Sequence, residues 1–307
     1  MSKIDFTGRV AIVTGAGAGL GRCHAIELAK RGAKVVVNDL GGSRDGIGSS
    51  ESAASMVVEE IKALGGKAVP NFDNVATVEG GENIVKAAID AFGKLDILIN
   101  NAGILRDKSF MKMDEQSWDA VLAVHLKGAY CVSKPAFIKM KENGYGRIIM
   151  TTSAAGLFGN FGQSNYSSAK AGLLGLANVL KIEGKKNNIL CNVLAPIAAT
   201  RLTEDILPPE LLKKMTVEYV TPVVLYMCSE QCTDTGTIIN AGAGYYSKSS
   251  VVTGPGAIIT DGGKPASPEA IMNSWNKITS LEHPKVFFDA NGIFGDLGLS
   301  AGNVLGK

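Results

Sequence analysis

A glycine-rich turn set between an apolar strand and a helix constrains this chain more than any other feature. Arg9–Thr14 (RVAIVT) is a continuous apolar run that ends in Thr14-Gly15-Ala16-Gly17-Ala18-Gly19-Leu20-Gly21. A helical pattern, Gly19–Arg31, begins inside that turn and stops before Gly32, where a C-terminal cap glycine belongs. Glycines let a backbone turn sharply and approach a pyrophosphate, which then rests on the amides of a helix N-terminus. The spelling is TGxxxGxG rather than GxGxxG, because Leu20 stands where the third glycine would be. With a strand before it and a helix after it, the turn is expected to bind a nucleotide through Gly15, Gly17, Gly19, Leu20 and Gly21; a plain glycine-rich turn is the alternative.

The same alternation continues downstream. Strands are expected at Lys34–Asn38, Lys67–Phe72, Leu95–Asn100, Arg147–Thr152 and Ile189–Leu194, with a seventh at Thr237–Asn240. Helices are expected at Ser50–Leu64, Val78–Phe92, Asp114–Lys141 and Gln163–Glu183. The strands are apolar throughout rather than alternating, as when helices cover both faces of a sheet. Repeated βα units of this kind mean an α/β, doubly wound parallel sheet. The 307 residues, 46% hydrophobic, supply the core for it. A chain of that length buries about three quarters of its unfolded surface and needs no disulfide or metal staple. After about Tyr246 the pattern gives way to Gly, Ser and Pro. Residues 1–246 are therefore read as one domain and 247–307 as an extension packing on the core or on a neighbouring subunit. In the extension Ser267 and Pro268 read as a helix start, with an apolar stripe through Ile271, Trp275 and Ile278.

Charge and cysteine usage narrow the function classes. The 31 basic and 29 acidic residues nearly cancel, which argues against a nucleic-acid binder. Five cysteines with no CxxC read as reduced, packed thiols. Cys228 and Cys232 lie four apart, but no nearby His or acidic pair completes a metal site, so no metal is expected. No apolar run reaches the ~18 residues of a membrane span, and the N-terminus is not a signal peptide. The C-terminal Val304-Leu305-Gly306-Lys307 is not an SKL-type address. A cytoplasmic location is the expectation.

Two further groups of residues carry chemistry. Asp39 ends the second strand, where a carboxylate accepts from an adenosine ribose diol and repels a 2′-phosphate; NAD is therefore expected over NADP. A solvated loop carboxylate is the alternative. Asp73 closes the third strand and is placed to meet the adenine edge, and Asn100-Asn101-Ala102-Gly103 closes the fourth. A Tyr and a Lys four residues apart share one helix face, and a nearby ammonium is expected to lower the phenol's pKa. The pattern occurs twice, as Tyr130…Lys134 and Tyr166…Lys170, each with a serine upstream, Ser117 and Ser153. Ser153 follows the carboxyl end of a strand, where open α/β sheets bind ligands. Ser117 lies in a helix, and Pro135 follows Lys134. Tyr166 and Lys170 with Ser153 are thus read as the reacting set, and Tyr130 and Lys134 as structural.

TGxxxGxG, NNAG (100–103), Ser153 and Tyr166…Lys170 together resemble the short-chain dehydrogenase/reductase family. VVVNDLGG (35–42), NNAGILRDKSF (100–110), VHLKG (124–128), the stretch 147–178 and PEAIMNSWNKI (268–278) are similar, within that family, to the dehydrogenase part of the type 2 multifunctional enzymes of β-oxidation. The resemblance covers nearly the whole chain. It implies a seven-stranded Rossmann fold and NAD-dependent oxidation of a (3R)-3-hydroxyacyl-CoA. Tyr166 would exchange the proton with the substrate oxygen, which Ser153 would orient. Lys170 would hold the nicotinamide ribose, and Asn101, Ala102 and Gly103 would line the adenosine side. Ile197 and Thr200, after Pro196, match positions that hold the carboxamide and pyrophosphate. Where most members carry an Asn that organises a water relay to the Lys, this chain has His125, either holding a water or packed in the core.

Substrate signals are thinner. Leu157, Phe158, Phe161 and Leu202–Met215 read either as an apolar wall and lid or as ordinary packing. Lys213 and Lys214 either meet a CoA phosphate or are solvated. A 17β-hydroxysteroid or other secondary-alcohol dehydrogenase is the second reading, and a non-catalytic NAD-binding scaffold a distant third. The resemblance further implies a homodimer or homotetramer built on the two long helices. A separate enoyl-CoA hydratase is the expected pathway partner.

Overall fold

The computed structural model describes residues 3–198, 215–261 and 263–296. The chain divides into two units, Met1–Lys248 and Ser249–Lys307. The first is an α/β fold around a sheet of eight strands in the order β3-β2-β1-β4-β5-β6-β7-β8. The strands are β1 (Val10–Thr14), β2 (Lys34–Asn38), β3 (Lys67–Asn71), β4 (Ile97–Asn100), β5 (Gly146–Thr151), β6 (Ile189–Pro196), β7 (Ile238–Gly242) and β8 (Tyr245–Ser249). β1 to β7 pair in parallel, with β1 central between β2 and β4. The order reverses between β1 and β4, and a crevice opens at such a switch point beyond the carboxyl ends of the strands.

Continuous apolar strands serve two cores at once. Ala11, Val13, Val35, Val37, Ile97 and Ile99 face one cluster with Leu28 of α1 (Gly19–Ala29), Val57 and Ile61 of α2 (Ser52–Ala63) and Val224 of α8 (Thr221–Cys228). The alternate residues Val10, Ile12, Val36, Leu98 and Ile148 face the other. There they meet Ile84 of α3 (Val78–Phe92), Val132 of α5 (Gly128–Asn143) and Leu173 of α7 (Ser164–Gly184). Each fully buried Val, Leu or Ile side chain among them stabilises the fold by about 1.5–3 kcal/mol.

Three differences from the sequence reading have local causes. β8 adds a strand beyond the expected seven. Its burial shows no inward apolar face, so no periodicity marks it; the link is Ala243 and Gly244, both at positive φ, the turn that folds a strand back antiparallel. The long central helix is α4 (Glu115–Leu122) and α5 joined by a π-helical stretch, Ala123–Lys127, which carries His125. Such insertions are frequent at functional sites. A short helix, α6 (Ala154–Phe158), follows β5, with Ser153 as its N-cap.

In the second unit Ser267 does cap a helix, its hydroxyl accepting from Ala270 N–H at 3.1 Å. That helix, α9 (Pro268–Asn273), stops at Ser274 and restarts as α10 (Trp275–Ile278). The expected stripe is therefore split, and Ile271 and Trp275 are exposed. No described residue from 250 to 296 is buried.

His24 joins α1 to α8. It is fully buried, with Nδ1 2.9 Å from Thr221 Oγ1. Burial pushes its pKa from 6.5 down to about 3, so the folded protein holds it neutral while the unfolded chain protonates it below 6.5. Stability contributed this way is present above 6.5 and lost on acidification. Relative to His24→Leu, the wild type is expected to lose about 2 kcal/mol of unfolding free energy between pH 7 and 5, read from urea midpoints. A difference that stays constant with pH would contradict a buried neutral imidazole.

Candidate active site

The carboxyl ends of β1, β2, β4, β5 and β6 surround a cavity of about 530 Å³. Its lining holds Gly15, Gly19, Leu20, Asp39, Asp73, Asn101, Ala102, Gly103, His125, Ser153, Tyr166, Lys170 and Ile197 together. Gly17 and Gly21 shape the turn without lining it. Thr200, Lys213, Lys214 and most of Leu202–Met215 lie outside the described residues. Leu157, half-buried, turns toward the core, while Phe158 and Phe161 are exposed; none of the three lines the cavity.

The nucleotide end is built on backbone. Gly15 has φ +63°, and a Cβ there would lie 2.7 Å from Ala102 Cα. A Cβ at Gly17 would lie 2.8 Å from Asp39 Oδ2. Asp39 accepts from Gly17 N–H at 2.8 Å and from Gly41 N–H at 2.7 Å, which holds its carboxylate against the turn. The α1 N-terminus has no side-chain cap, so its first amides remain available to an anion. Asn101 Nδ2 donates to the carbonyls of Thr14 (2.9 Å) and Gly15 (3.1 Å), binding the end of β4 to the turn. Asp73 accepts from Asn71 Nδ2 at 2.7 Å and Asn83 Nδ2 at 3.1 Å. An uncapped helix N-terminus, a close-packed glycine turn and a carboxylate at the end of β2 fit a dinucleotide with free ribose hydroxyls.

The other end is polar and desolvated. Lys170 is buried on α7, its Nζ donating to Thr151 O at 2.5 Å and lying 5.5 Å from the Tyr166 ring centroid. Burial pushes the Lys170 ammonium down to about 7. Burial also pushes the Tyr166 phenol up to about 12, with the Ser153 hydroxyl opposing the shift and the Asp107 carboxylate adding to it. The expectation that Lys170 lowers the tyrosine pKa does not hold in this structure. Desolvation of the phenolate is the largest cause, and the Lys170 ammonium, itself disfavoured by burial, donates to the Thr151 carbonyl.

His125 is buried edge-on to Tyr166, ring centroids 5.1 Å apart at 90°. Its Nε2 lies 2.7 Å from Ile104 O and 3.1 Å from Ile104 N. Burial, then the charge of Lys170, hold it well below the usual imidazole value. Its Nδ1 and Thr151 Oγ1 have no hydrogen-bond partner among the described residues, and both residues line a second cavity of about 10 Å³ with Lys170 and Asn100. That volume suits one water. Gly103 allows the approach, since a Cβ there would collide with the imidazole. His125 is thus packed and also at the site, so the two readings of it are not exclusive.

The second Tyr/Lys pair sits elsewhere. Tyr130 is exposed on α5 with Lys134 Nζ 6.0 Å from its ring, and Ser117 is tied to the Asp114 cap of α4. Neither Tyr130 nor Lys134 lines the cavity. Residues the sequence reading missed support the first pair. Asn165 Oδ1 accepts from Tyr166 N–H at 2.7 Å, while its Nδ2 donates to Arg106 O and Ser117 O. Gln163 Nε2 donates to Asp107 Oδ2 at 2.8 Å. A run of polar residues, Gln163 to Tyr166, at the start of a helix that goes on to carry the core residues Leu173, Ala177 and Leu180 was the available signal.

Among the described residues, no group of three or more His, Cys, Asp or Glu is placed to hold a metal, and no helix is long and apolar enough to cross a membrane. All five cysteines are free and buried.

Several known proteins are similar to this chain. The chain is 55% identical over 281 residues to peroxisomal multifunctional enzyme A of Dictyostelium discoideum, covering 92% of this chain and 62% of that protein. It is 51% identical over 278 residues to a putative short-chain type dehydrogenase/reductase of Mycobacterium tuberculosis, covering 91% of this chain and 96% of that one. It thus spans less than two thirds of the Dictyostelium relative and nearly all of the mycobacterial one. The solved full-length peroxisomal multifunctional enzyme type 2 of Drosophila melanogaster aligns at TM-score 0.81 and 40% identity, over 97% of this chain and 51% of that chain. A 7α-hydroxysteroid dehydrogenase solved with NADH and 7-oxo glycochenodeoxycholic acid aligns at TM-score 0.71 and 29% identity, over 78% of this chain and 95% of that one. Residues 9–210 match the short chain dehydrogenase family, and the chain belongs to that family of oxidoreductases.

Proposed function

We propose that the protein oxidises a (3R)-3-hydroxyacyl-CoA to the 3-oxoacyl-CoA with NAD. The observation that supports it is the meeting of Ser153, Tyr166 and Lys170 with the glycine turn and Asp39 on one cavity. Similarity to multifunctional enzymes over most of the chain points to the acyl-CoA substrate. A secondary-alcohol dehydrogenase acting on a steroid is the second reading, favoured by the likeness to a steroid dehydrogenase. Both reactions remove a hydride from a carbinol carbon and a proton from its oxygen.

The bound cofactor supplies the hydride acceptor, nicotinamide C4. Everything else falls to the chain. The α1 amides and the Gly15–Gly21 turn receive the pyrophosphate, and Asp39 receives the ribose diol. Asp73 and Asn101–Gly103 would line the adenosine side, and Ile197 and Thr200 match positions that would hold the carboxamide and pyrophosphate. Ser153 donates to the substrate oxygen, and Tyr166 carries the proton at its phenol oxygen. Lys170 holds the nicotinamide ribose and, with His125 beside it, lies on the proton's way to solvent. Because the phenol is protonated at neutral pH, Tyr166 is ready to donate in the reducing direction and must first lose its proton to act in oxidation.

We retain the homodimer or homotetramer, supported by exposed Tyr130 and Ile138 on α5 and Val179 and Ile182 on α7. The 247–307 extension packing on the core or the neighbouring subunit, a separate hydratase partner, and a reducing compartment such as the cytoplasm, in keeping with five free thiols, belong to the same reading.

NADH formation from (3R)- but not (3S)-3-hydroxyacyl-CoA is expected, with Tyr166→Phe lowering kcat by roughly 10²–10⁴-fold. Estradiol turnover without acyl-CoA turnover would overturn the acyl-CoA assignment in favour of the steroid one. The oxidation rate is expected to climb from pH 6 to 9 while 3-oxoacyl-CoA reduction does not, in stopped-flow traces of NADH absorbance. Asp39→Ser is expected to raise KM for NAD by about tenfold and lower that for NADP. An unchanged ratio of the two would remove Asp39 from cofactor choice.

A further inference from the structure

Between β2 and α2 the chain makes a long loop with no buried side chain from Leu40 to Ser50. The loop closes on itself: Ser43 N–H donates to Ile47 O at 2.9 Å and Ser50 N–H to Leu40 O at 3.0 Å. Leu40, Gly42, Ser43, Arg44 and Gly46 nevertheless line the main cavity at its nucleotide end. Without an apolar anchor, a loop of this kind opens at little free-energy cost unless polar bonds hold it.

Segment 104–106 supplies bonds of that kind. Leu105 N–H donates to Arg44 O at 3.0 Å, and Arg106 Nε donates to Asp45 O at 2.8 Å. Gly46, at φ +82°, rests on Ile104; a Cβ there would lie 3.0 Å from Ile104 Cδ1. The segment is itself fixed on its other side. Ile104 backbone meets His125 Nε2, Arg106 O accepts from Asn165 Nδ2 at 3.0 Å, and Asn165 in turn holds the Tyr166 amide.

We propose that Arg106 is a positioning residue for the dinucleotide, latching loop 40–48 against the nucleotide end of the cavity through its side chain. The proposal rests on the NAD reading above. Arg106 does not line the cavity and touches no reacting atom. Its carbonyl serves the Tyr166 side and its guanidinium the loop side, so a side-chain replacement separates the two. Arg106→Met keeps the aliphatic stem and the carbonyl bond while removing the donor to Asp45 O.

Three outcomes follow if the latch exists. Calorimetric titration with NADH gives a Kd raised about tenfold in Arg106→Met, the loss of one hydrogen bond from a charged donor. KM for NAD rises by a similar factor while kcat at saturating NAD stays within about twofold. Amide hydrogen exchange over 41–48 in the ligand-free protein speeds up in the variant, and NADH slows it in the wild type. Arg106→Lys restores part of each effect. Gly46→Val presses a side chain into Ile104 from the loop side and is expected to weaken NADH binding and speed exchange over 41–48, which keeps the idea testable if Arg106→Met folds poorly. Equal NADH affinity and equal exchange in wild type and both variants would overturn the latch. Failure of the wild type to bind NADH would instead overturn the NAD reading, and the ligand-free exchange would still decide whether Arg106 holds the loop.

Discussion

The side chain of Asn101 is the joint on which the site depends. Through its bonds to the Thr14 and Gly15 carbonyls it fastens the end of β4 to the glycine turn after β1. Thr14 answers with its hydroxyl, which accepts from the amides of Asn101 and Ala102 at 3.0 and 3.1 Å. These are the two strands between which the sheet order reverses, and the chain leaves them toward opposite faces, α1 on one and α5 on the other, so a crevice opens there. Without the joint, the turn and Asn101–Gly103 would be two loops moving separately. With it, one rigid wall carries the cradle for a pyrophosphate and the glycine against which His125 packs.

Burial does the electrostatic work at the other end. Tyr166, Lys170 and His125 lie within one desolvated cluster, and each shifts toward its neutral form. A charged group entering such a site meets little screening and few solvent dipoles, so its effect on neighbouring pKa values is larger than it would be in water. Burial, and not the spacing to Lys170, sets the direction of the tyrosine shift. The π-helical stretch Ala123–Lys127 contributes by turning His125 inward in a helix whose next turns face outward at Tyr130 and Lys134.

Much of this was legible in the sequence, for physical reasons. Strands covered on both faces are apolar throughout, and RVAIVT, KVVVN and LDILIN say so directly. Ser153 could be told from Ser117 because one follows a strand and the other opens a helix, and the structure puts them respectively in and outside the cavity. β8 escaped because it has no apolar face, and α6 because five residues carry no period. The direction of the Tyr166 shift escaped because spacing reports which charges are near, not how much water is excluded.

Local chemistry along the chain thus determined the βα alternation, the glycine turn, the acidic end of β2 and the Tyr/Lys pair, since each depends on residues within a turn or two of one another. Tertiary structure alone decided what stands opposite them. Asn101 reaches 87 residues back to Thr14, Gln163 reaches 56 residues to Asp107, and Arg106 reaches 61 residues to the loop at Asp45. No local pattern encodes such partners, because they are set by which strands lie side by side in the sheet.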